Sequence, residues 1–173
     1  MKVGILGGTL DPVHNGHVDI ALAAMDALKL DRVLLMPAGD PPHKKRRTDK
    51  LMRMKMAEIA AAGHPELVAS DMEIRRMGTT YTVDTLMLLS AEQPGVEWTY
   101  IVGTDTLNKL DSWKEFSRVA RLCSFAAVER PGCDRELTQL RARALTECYG
   151  TRVEMLPVSG PKISSTQVRR CVA

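Results

Sequence analysis

Two histidines, His14 and His17, lie three residues apart between an apolar run and a helical pattern. At the start of a helix this spacing places both imidazoles on one side. A helix N-terminus also offers free N–H groups and partial positive charge. The pair is therefore a donor cluster suited to a polyphosphate. Gly16, between the two histidines, has no side chain that could block the approach of the polyphosphate.

The segment around the histidines reads GGTLDPVHNGH over residues 7–17. It matches neither the GxGxxG dinucleotide fingerprint nor the GxxxxGK[ST] phosphate loop. Gly7 and Gly8 allow a sharp turn and a close approach to a ligand, and with Thr9 they form the expected phosphate-facing part of the segment. Two alternatives remain for the histidines: surface residues at a helix cap, or a zinc pair without a visible third ligand.

A second polar constellation, KISSTQVR, occupies residues 162–169 near the other end of the chain. Ser164 or Ser165 can cap a last helix, and its N–H groups, the hydroxyls and a cation can hold another part of a triphosphate. The candidate triphosphate-binding residues here are Ile163, Ser164, Ser165, Thr166 and Arg169, with Lys162 as a second possible cation. An ordinary serine-capped terminal helix is the alternative.

Buried strands and helices must alternate to position these segments. Runs rich in Val, Ile and Leu predict strands at 3–6, 32–36, 67–70, 98–102, 125–128 and 153–157. Helical patterns cover 17–28, 50–62, 83–91, 106–110, 114–122, 135–148 and 165–171. This order predicts an α/β fold with a doubly wound, mostly parallel sheet in a single domain of residues 1–173. Ligands of such sheets bind beyond the carboxyl ends of the strands, where the polar segments fall.

Composition excludes several functional classes. A net charge of +3 over 173 residues is too weak to imply nucleic-acid binding. The four cysteines form no CxxC pair, which disfavours zinc and fits reduced thiols in the cytoplasm. No stretch of eighteen apolar residues occurs, so we expect no membrane span and a cytoplasmic location.

The two terminal segments resemble the HxGH and ISSTxxR motifs of the nucleotidyltransferase superfamily, which is related to class I aminoacyl-tRNA synthetases. Between them, PPHK (41–44), YTVDTL (81–86), GTD (103–105) and LDSW (110–113) resemble bacterial nicotinate mononucleotide adenylyltransferases. The motifs run in order from Lys2 to Arg169, and the resemblance implies a Rossmann-like fold. Leu10 stands where the family usually has Phe. The chain ends soon after Arg169, where relatives usually continue through another helical segment, so homo-oligomer formation is left open.

The resemblance implies transfer of AMP from ATP to nicotinate mononucleotide, giving nicotinate adenine dinucleotide and pyrophosphate for NAD biosynthesis. The acceptor phosphate attacks the α-phosphorus directly, and His14 and His17 stabilise the developing charge. Gly103 and Asp105 belong to the ATP side, where Asp105 meets a ribose or the adenine unless it only caps a short helix. We expect Mg²⁺ to be held by the substrates, because no acidic cluster would cage it.

The resemblance places the acceptor near Thr85 and Trp113, whose indole either stacks on the pyridine ring or packs in the core. Lys44 can reach a phosphate. Backbone N–H groups around Thr80, Tyr81 and Thr82 can hold a carboxylate, which predicts a preference for the acid over the amide. Other acceptors (nicotinamide mononucleotide or phosphopantetheine) and a non-catalytic nucleotide sensor are the alternatives.

Overall fold

The computed structural model describes residues 1–41, 48–129, 133–156 and 163–172. The strands are β1 (Lys2–Gly8), β2 (Arg32–Pro37), β3 (Leu67–Ala69), β4 (Glu97–Gly103), β5 (Ser124–Val128) and β6 (Val153–Leu156). The helices are α1 (Asn15–Leu28), α2 (Lys50–Ala61), α3 (Thr82–Glu92), α4 (Thr104–Leu107), α5 (Phe116–Leu122), α6 (Arg135–Tyr149) and α7 (Ser165–Val172). A 3₁₀ turn spans Leu110–Ser112.

All six strands belong to one parallel sheet in the order β3-β2-β1-β4-β5-β6. The chain winds outward from β1 in one direction and returns to continue from β4 in the other. The doubly wound α/β prediction is confirmed, and the order places a topological switch point between β1 and β4. Ligand sites of this architecture lie at that point, beyond the carboxyl ends of the strands.

Alternate residues of each strand face two different cores. In β2, Leu34 and Met36 pack with α3, α5 and α6, whereas Val33 and Leu35 pack with α1 and α2. Because both faces of the sheet are covered, its strands have no polar face, and this explains their continuous apolar runs. The low aromatic content of 4% is compatible with these cores because most of their volume is aliphatic.

Two short helices differ from the sequence prediction. A helix was expected over 106–110, but the chain forms α4 earlier, at Thr104–Leu107, and then the separate 3₁₀ turn. The next helix begins at Phe116 rather than Lys114, after Glu115 adopts a left-handed φ of 51°. Helical periodicity cannot locate these ends, because segments this short are set by their tertiary contacts.

No helix among the described residues is both long and apolar enough to cross a membrane.

Candidate active site at the switch point

Three loops meet at the carboxyl edge of the sheet. The register pairs Gly8 of β1 with Pro37 of β2, and Gly103 of β4 ends on the other side of β1. The backbone N–H of Ala38 also donates to the carbonyl of Gly8 at 2.7 Å. The loop between β1 and α1 (residues 9–14, the histidine loop), the loop after β2 and the GTD segment are therefore neighbours, as expected for a site at the switch point.

The two histidines frame the start of α1. His14 is the N-cap residue and His17 is the third residue of the helix, so α1 begins two residues earlier than predicted. The ring centroids lie 3.9 Å apart at an interplanar angle of 37°. The backbone N–H of His14 donates to Nδ1 of His17 at 3.2 Å. Because that Nδ1 is an acceptor, the proton of a neutral His17 ring is on Nε2, which is then a hydrogen-bond donor.

The C-terminal motif docks directly on the histidine loop. The Ser165 hydroxyl donates to the carbonyl of Pro12 at 2.9 Å, across 153 positions of sequence. The guanidinium of Arg169 donates to the carbonyl of Asp11 and also to the Thr166 hydroxyl at 3.2 Å. The two segments that the sequence singled out as phosphate-binding thus form one continuous surface.

The first turn of α7 is closed by a capping box. The Ser164 hydroxyl accepts from the Gln167 N–H at 3.2 Å, and the Gln167 side chain accepts from the Ser164 N–H at 2.8 Å. Of the two candidate caps, Ser164 therefore caps the helix, which leaves Ser165 to bond the histidine loop. Ile163 is exposed at the start of this motif.

The missing side chains of Gly16 and Gly7 face other parts of the protein. A Cβ on Gly16 would stand 3.0 Å from Cγ2 of Ile163 and 3.1 Å from the His14 ring. A Cβ on Gly7 would stand 2.1 Å from the Tyr100 hydroxyl. A Cβ on Gly8, by contrast, would meet nothing within 4 Å among the described residues, so Gly8 keeps the open position expected beside a ligand. Thr9 follows it, half-buried.

The GTD segment turns from β4 into α4. Gly103 is the N-cap, and Asp105 lies exposed in the first turn, so the alternative of Asp105 as the capping residue is wrong. Thr104 is 2% exposed, and its hydroxyl has no hydrogen-bond partner among the residues that the structure describes. A buried hydroxyl without a protein partner is uncommon and is typical of a position that meets a ligand or solvent.

The proposed carboxylate site lies at the start of α3. Tyr81 is the N-cap and α3 begins at Thr82, so the first N–H groups of the helix lack intrahelical acceptors. The N–H of Thr80 is not available, however, because it donates to the carbonyl of Asp40 at 2.9 Å. The Thr80 hydroxyl is buried without a partner among the described residues. Lys114 lies over the Tyr81 ring, 4.3 Å from its centroid.

Thr85 supports this region from within the protein. It is fully buried, and its hydroxyl lies 2.8 Å from Oε1 of Glu73 and accepts from Arg76 at 3.0 Å. Its expected contact with the acceptor is therefore not available in this structure. Arg76 also approaches Asp84 at 3.5 Å, and Lys114 approaches the same carboxylate at 3.9 Å. The helix start thus carries a small network in which two cations flank Asp84.

Tyr100 lies between the start of α3 and the end of β1. Burial raises the pKa of its phenol, the charge of Glu73 raises it further, and a hydrogen bond with Thr82 opposes the shift. The phenol is therefore a neutral group at physiological pH. Its hydroxyl occupies the space beside Gly7, as described above.

Trp113 is half-buried and packs edge-on against Tyr100 and Phe125, with centroid distances of 5.5 and 6.4 Å. The segment before Trp113 forms an ion pair with α6, in which Oδ1 of Asp111 lies 2.6 Å from Nη2 of Arg141. That contact holds the pKa of the Asp111 carboxyl below its ordinary value. Trp113 thus belongs partly to the core, and both of its proposed roles remain compatible with its position. Lys44 and Lys162 lie outside the described residues.

Sequence reasoning missed four residues of this region: Arg53, Glu73, Arg76 and Tyr100. Arg53 could have been identified from the sequence, because it lies at four-residue spacing from Ala57 and Ala61 on the buried face of α2. A charged residue on an otherwise small and apolar helix face indicates a buried polar role. Glu73 and Arg76 lie in an irregular segment and had no such periodic signal.

Similarity to known proteins agrees with this geometry. The cytidylyltransferase-like family model matches residues 5–171. A Synechococcus sp. (strain JA-3-3Ab) protein named "Probable nicotinate-nucleotide adenylyltransferase" is 40% identical over 98% of this chain and 82% of its own length. A protein of the same name from Thermomicrobium roseum is 38% identical over 99% of this chain and 80% of its own length.

The fold is shared with a solved Plasmodium falciparum nicotinic acid mononucleotide adenylyltransferase in complex with NaAD. The TM-score is 0.77 at 18% identity, over 98% of this chain and 82% of that chain. The chain therefore belongs to the cytidylyltransferase-like family and, within it, to the nicotinate-nucleotide adenylyltransferases.

Proposed function

We propose that this chain transfers the AMP moiety of ATP to nicotinate mononucleotide in NAD biosynthesis. A phosphate oxygen of the mononucleotide attacks the α-phosphorus of ATP, and the bond from that phosphorus to the bridging oxygen of the β-phosphate breaks. The products are nicotinate adenine dinucleotide and pyrophosphate. The observation that carries the proposal is the Ser165–Pro12 hydrogen bond, which brings the C-terminal motif onto the histidine loop.

The histidines supply the electrostatic part of catalysis in this proposal. The substrate phosphate is already a nucleophile at neutral pH, so the protein needs only to position both substrates and stabilise the developing charge. The Nε2–H of His17 and the ring of His14 lie at a helix N-terminus, where partial positive charge reinforces their donors. Arg169, held beside Thr166, adds a fixed cation.

The start of α3 supports selection of the acid. A carboxylate can accept from several N–H groups, whereas a neutral carboxamide offers one acceptor oxygen and an NH₂ that faces donors. Asp84 would oppose a carboxylate if it pointed inward unpaired, but Arg76 and Lys114 flank it. Loss of one charge-assisted bond, together with the conflict between the NH₂ group and the helix donors, costs about 3–4 kcal/mol, or roughly a few hundredfold in kcat/KM.

Magnesium is part of the proposal as an ion carried by the phosphates. Among the described residues no group of three or more His, Cys, Asp and Glu side chains is placed to hold a metal. In this proposal the ion binds mainly through substrate oxygens and would neutralise phosphate charge. A cytoplasmic location also stays part of the proposal, on the ground that all four cysteines are free thiols.

The test is pyrophosphate release from ATP with three acceptors compared side by side: nicotinate mononucleotide, nicotinamide mononucleotide and phosphopantetheine. We expect the highest kcat/KM with the nicotinate compound. Equal or higher kcat/KM with the amide would overturn the acid preference and leave adenylyl transfer standing. Turnover only with phosphopantetheine would reassign the acceptor. ATP binding without pyrophosphate release from any acceptor would identify a nucleotide sensor.

A further inference from the structure

Arg53 is a fully buried cation in the wall of the site. Its relative exposure is 0%, and it is the largest of the side chains that the structure buries completely. Because a guanidinium does not lose its proton in proteins, this is a permanent charge. Such a charge is tolerated in an interior only where hydrogen-bond acceptors surround it.

The acceptors of Arg53 come from separate segments. Its Nη1 donates to the carbonyls of Thr9 at 2.8 Å and Ala38 at 2.6 Å. Its Nη2 donates to the carbonyl of Gly39 at 3.2 Å, and its Nε donates to that of Thr48 at 3.3 Å. One side chain thus joins the loop after β1 to the loop after β2, and both to the start of α2.

These two loops serve different substrates in the proposed reaction. Thr9 opens the loop that leads to the histidines and the ATP phosphates. Ala38 and Gly39 lead into the PPHK segment on the acceptor side. The second loop also packs closely against the backbone at Glu73, since a Cβ on Gly39 would stand 2.1 Å from the Glu73 carbonyl oxygen. The Asp40 carbonyl accepts from Thr80 on that side.

We propose that Arg53 is a positioning residue. It fixes the position of the histidine loop, on the ATP side, relative to the first residues after β2 (residues 38–41), on the acceptor side. This inference rests on the proposed function. Arg53 acts through backbone carbonyls and touches neither substrate, so its effect falls on the alignment of the two substrates rather than on the binding of either one. A misplacement of about 1 Å between reacting groups lowers the rate roughly a hundredfold.

The test uses Arg53→Lys and Arg53→Gln in the full chain. Lysine keeps the charge, but its single ammonium nitrogen cannot span carbonyls that a planar guanidinium reaches from three nitrogens. Arg32→Lys is the matched control, because Arg32 is a half-buried arginine at the opposite end of β2 that donates to Gln93 at 3.1 Å. Melting temperature, the Kd for a non-hydrolysable ATP analogue, the Kd for nicotinate mononucleotide and kcat are measured for each protein.

We expect Arg53→Lys to lower kcat at least 30-fold while each separate Kd changes less than about 3-fold. Arg53→Gln should lower kcat further, and Arg32→Lys should match the unmodified chain. A kcat within 3-fold of the unmodified chain in a folded Arg53→Lys protein would overturn the positioning role. So would losses of affinity that account for the whole loss of activity, or unfolding of both variants at the assay temperature. Absence of pyrophosphate release from the unmodified chain would instead reject the proposed function itself.

Discussion

His17 performs two tasks with different nitrogens, and substitutions can separate them. Its Nδ1 accepts from the His14 N–H at 3.2 Å and thereby closes the helix start, which leaves the Nε2–H as the donor for phosphate. In His17→Asn the amide oxygen lies close to the position of Nδ1, and nothing replaces Nε2. In His17→Gln a longer amide can place an N–H near Nε2. His17→Ala removes both functions.

The magnitudes follow from these two tasks. Loss of one preorganised donor to a developing oxyanion lowers kcat about 10²–10³-fold. Loss of a helix-capping interaction destabilises a protein by about 1 kcal/mol, or roughly 2–4 °C in Tm for a chain of this size. We therefore expect His17→Asn to lose kcat at nearly unchanged Tm and His17→Ala to lose both. His17→Gln should regain about tenfold or more of the kcat that His17→Asn loses.

The assay is steady-state pyrophosphate release at saturating ATP and nicotinate mononucleotide, with thermal unfolding followed by circular dichroism. His64→Asn is the control, since His64 lies in the turn between α2 and β3, away from the carboxyl edge of the sheet. A folded His17→Asn protein with kcat within 3-fold of the unmodified chain would show that the Nε2–H does not stabilise the reaction.

Three further predictions concern Trp113, Gly7 and Cys123. Trp113→Ala should raise KM for nicotinate mononucleotide about 5–150-fold and leave KM for ATP nearly unchanged, because stacking contributes ~1–3 kcal/mol; equal rises in both constants would favour a purely structural indole. Gly7→Ala should lower stability by about 1–3 kcal/mol because its Cβ would stand 2.1 Å from the Tyr100 hydroxyl. Adding Tyr100→Phe should recover part of that loss, and strictly additive free energies of unfolding would contradict the contact. Burial raises the pKa of Cys123 from 9.0 to about 12, so the thiol is neutral in the folded chain while the unfolded chain ionises above pH 9. Its contribution to stability is fully present below pH 9 and declines as pH rises toward 12, by up to about 1.4 kcal/mol per pH unit. Urea unfolding should show a shallower decline for Cys123→Ala, and parallel profiles would reject this assignment.

Local patterns were enough to predict most of the secondary structure. Strands buried on both faces are continuous apolar runs, and helices such as α1 and α6 repeat their buried residues every three or four positions. These signals depend only on neighbouring residues. The terminal motifs were readable for the same reason, since HxGH and ISSTxxR each combine a helix start with polar groups at fixed short spacing.

Individual roles within those motifs were less predictable. Gly7 and Gly16 were expected to admit a ligand, yet the nearest contacts of their missing Cβ atoms are Tyr100, Ile163 and His14. Thr85 was expected to meet the acceptor, yet it is fully buried against Glu73 and Arg76. A glycine or a threonine has the same local signature whether its neighbour is a substrate or another side chain.

The sequence alone determined the order of the elements, the α/β class and the two segments that carry phosphate chemistry. Only the tertiary structure decided that Ser165 bonds Pro12 across 153 positions and that Arg53 reaches Thr9 across 44. Such contacts depend on how β1, β2 and α7 are placed around the sheet. Hydrogen bonds between distant segments obey no periodicity, so their partners become known only when the chain has closed into its fold.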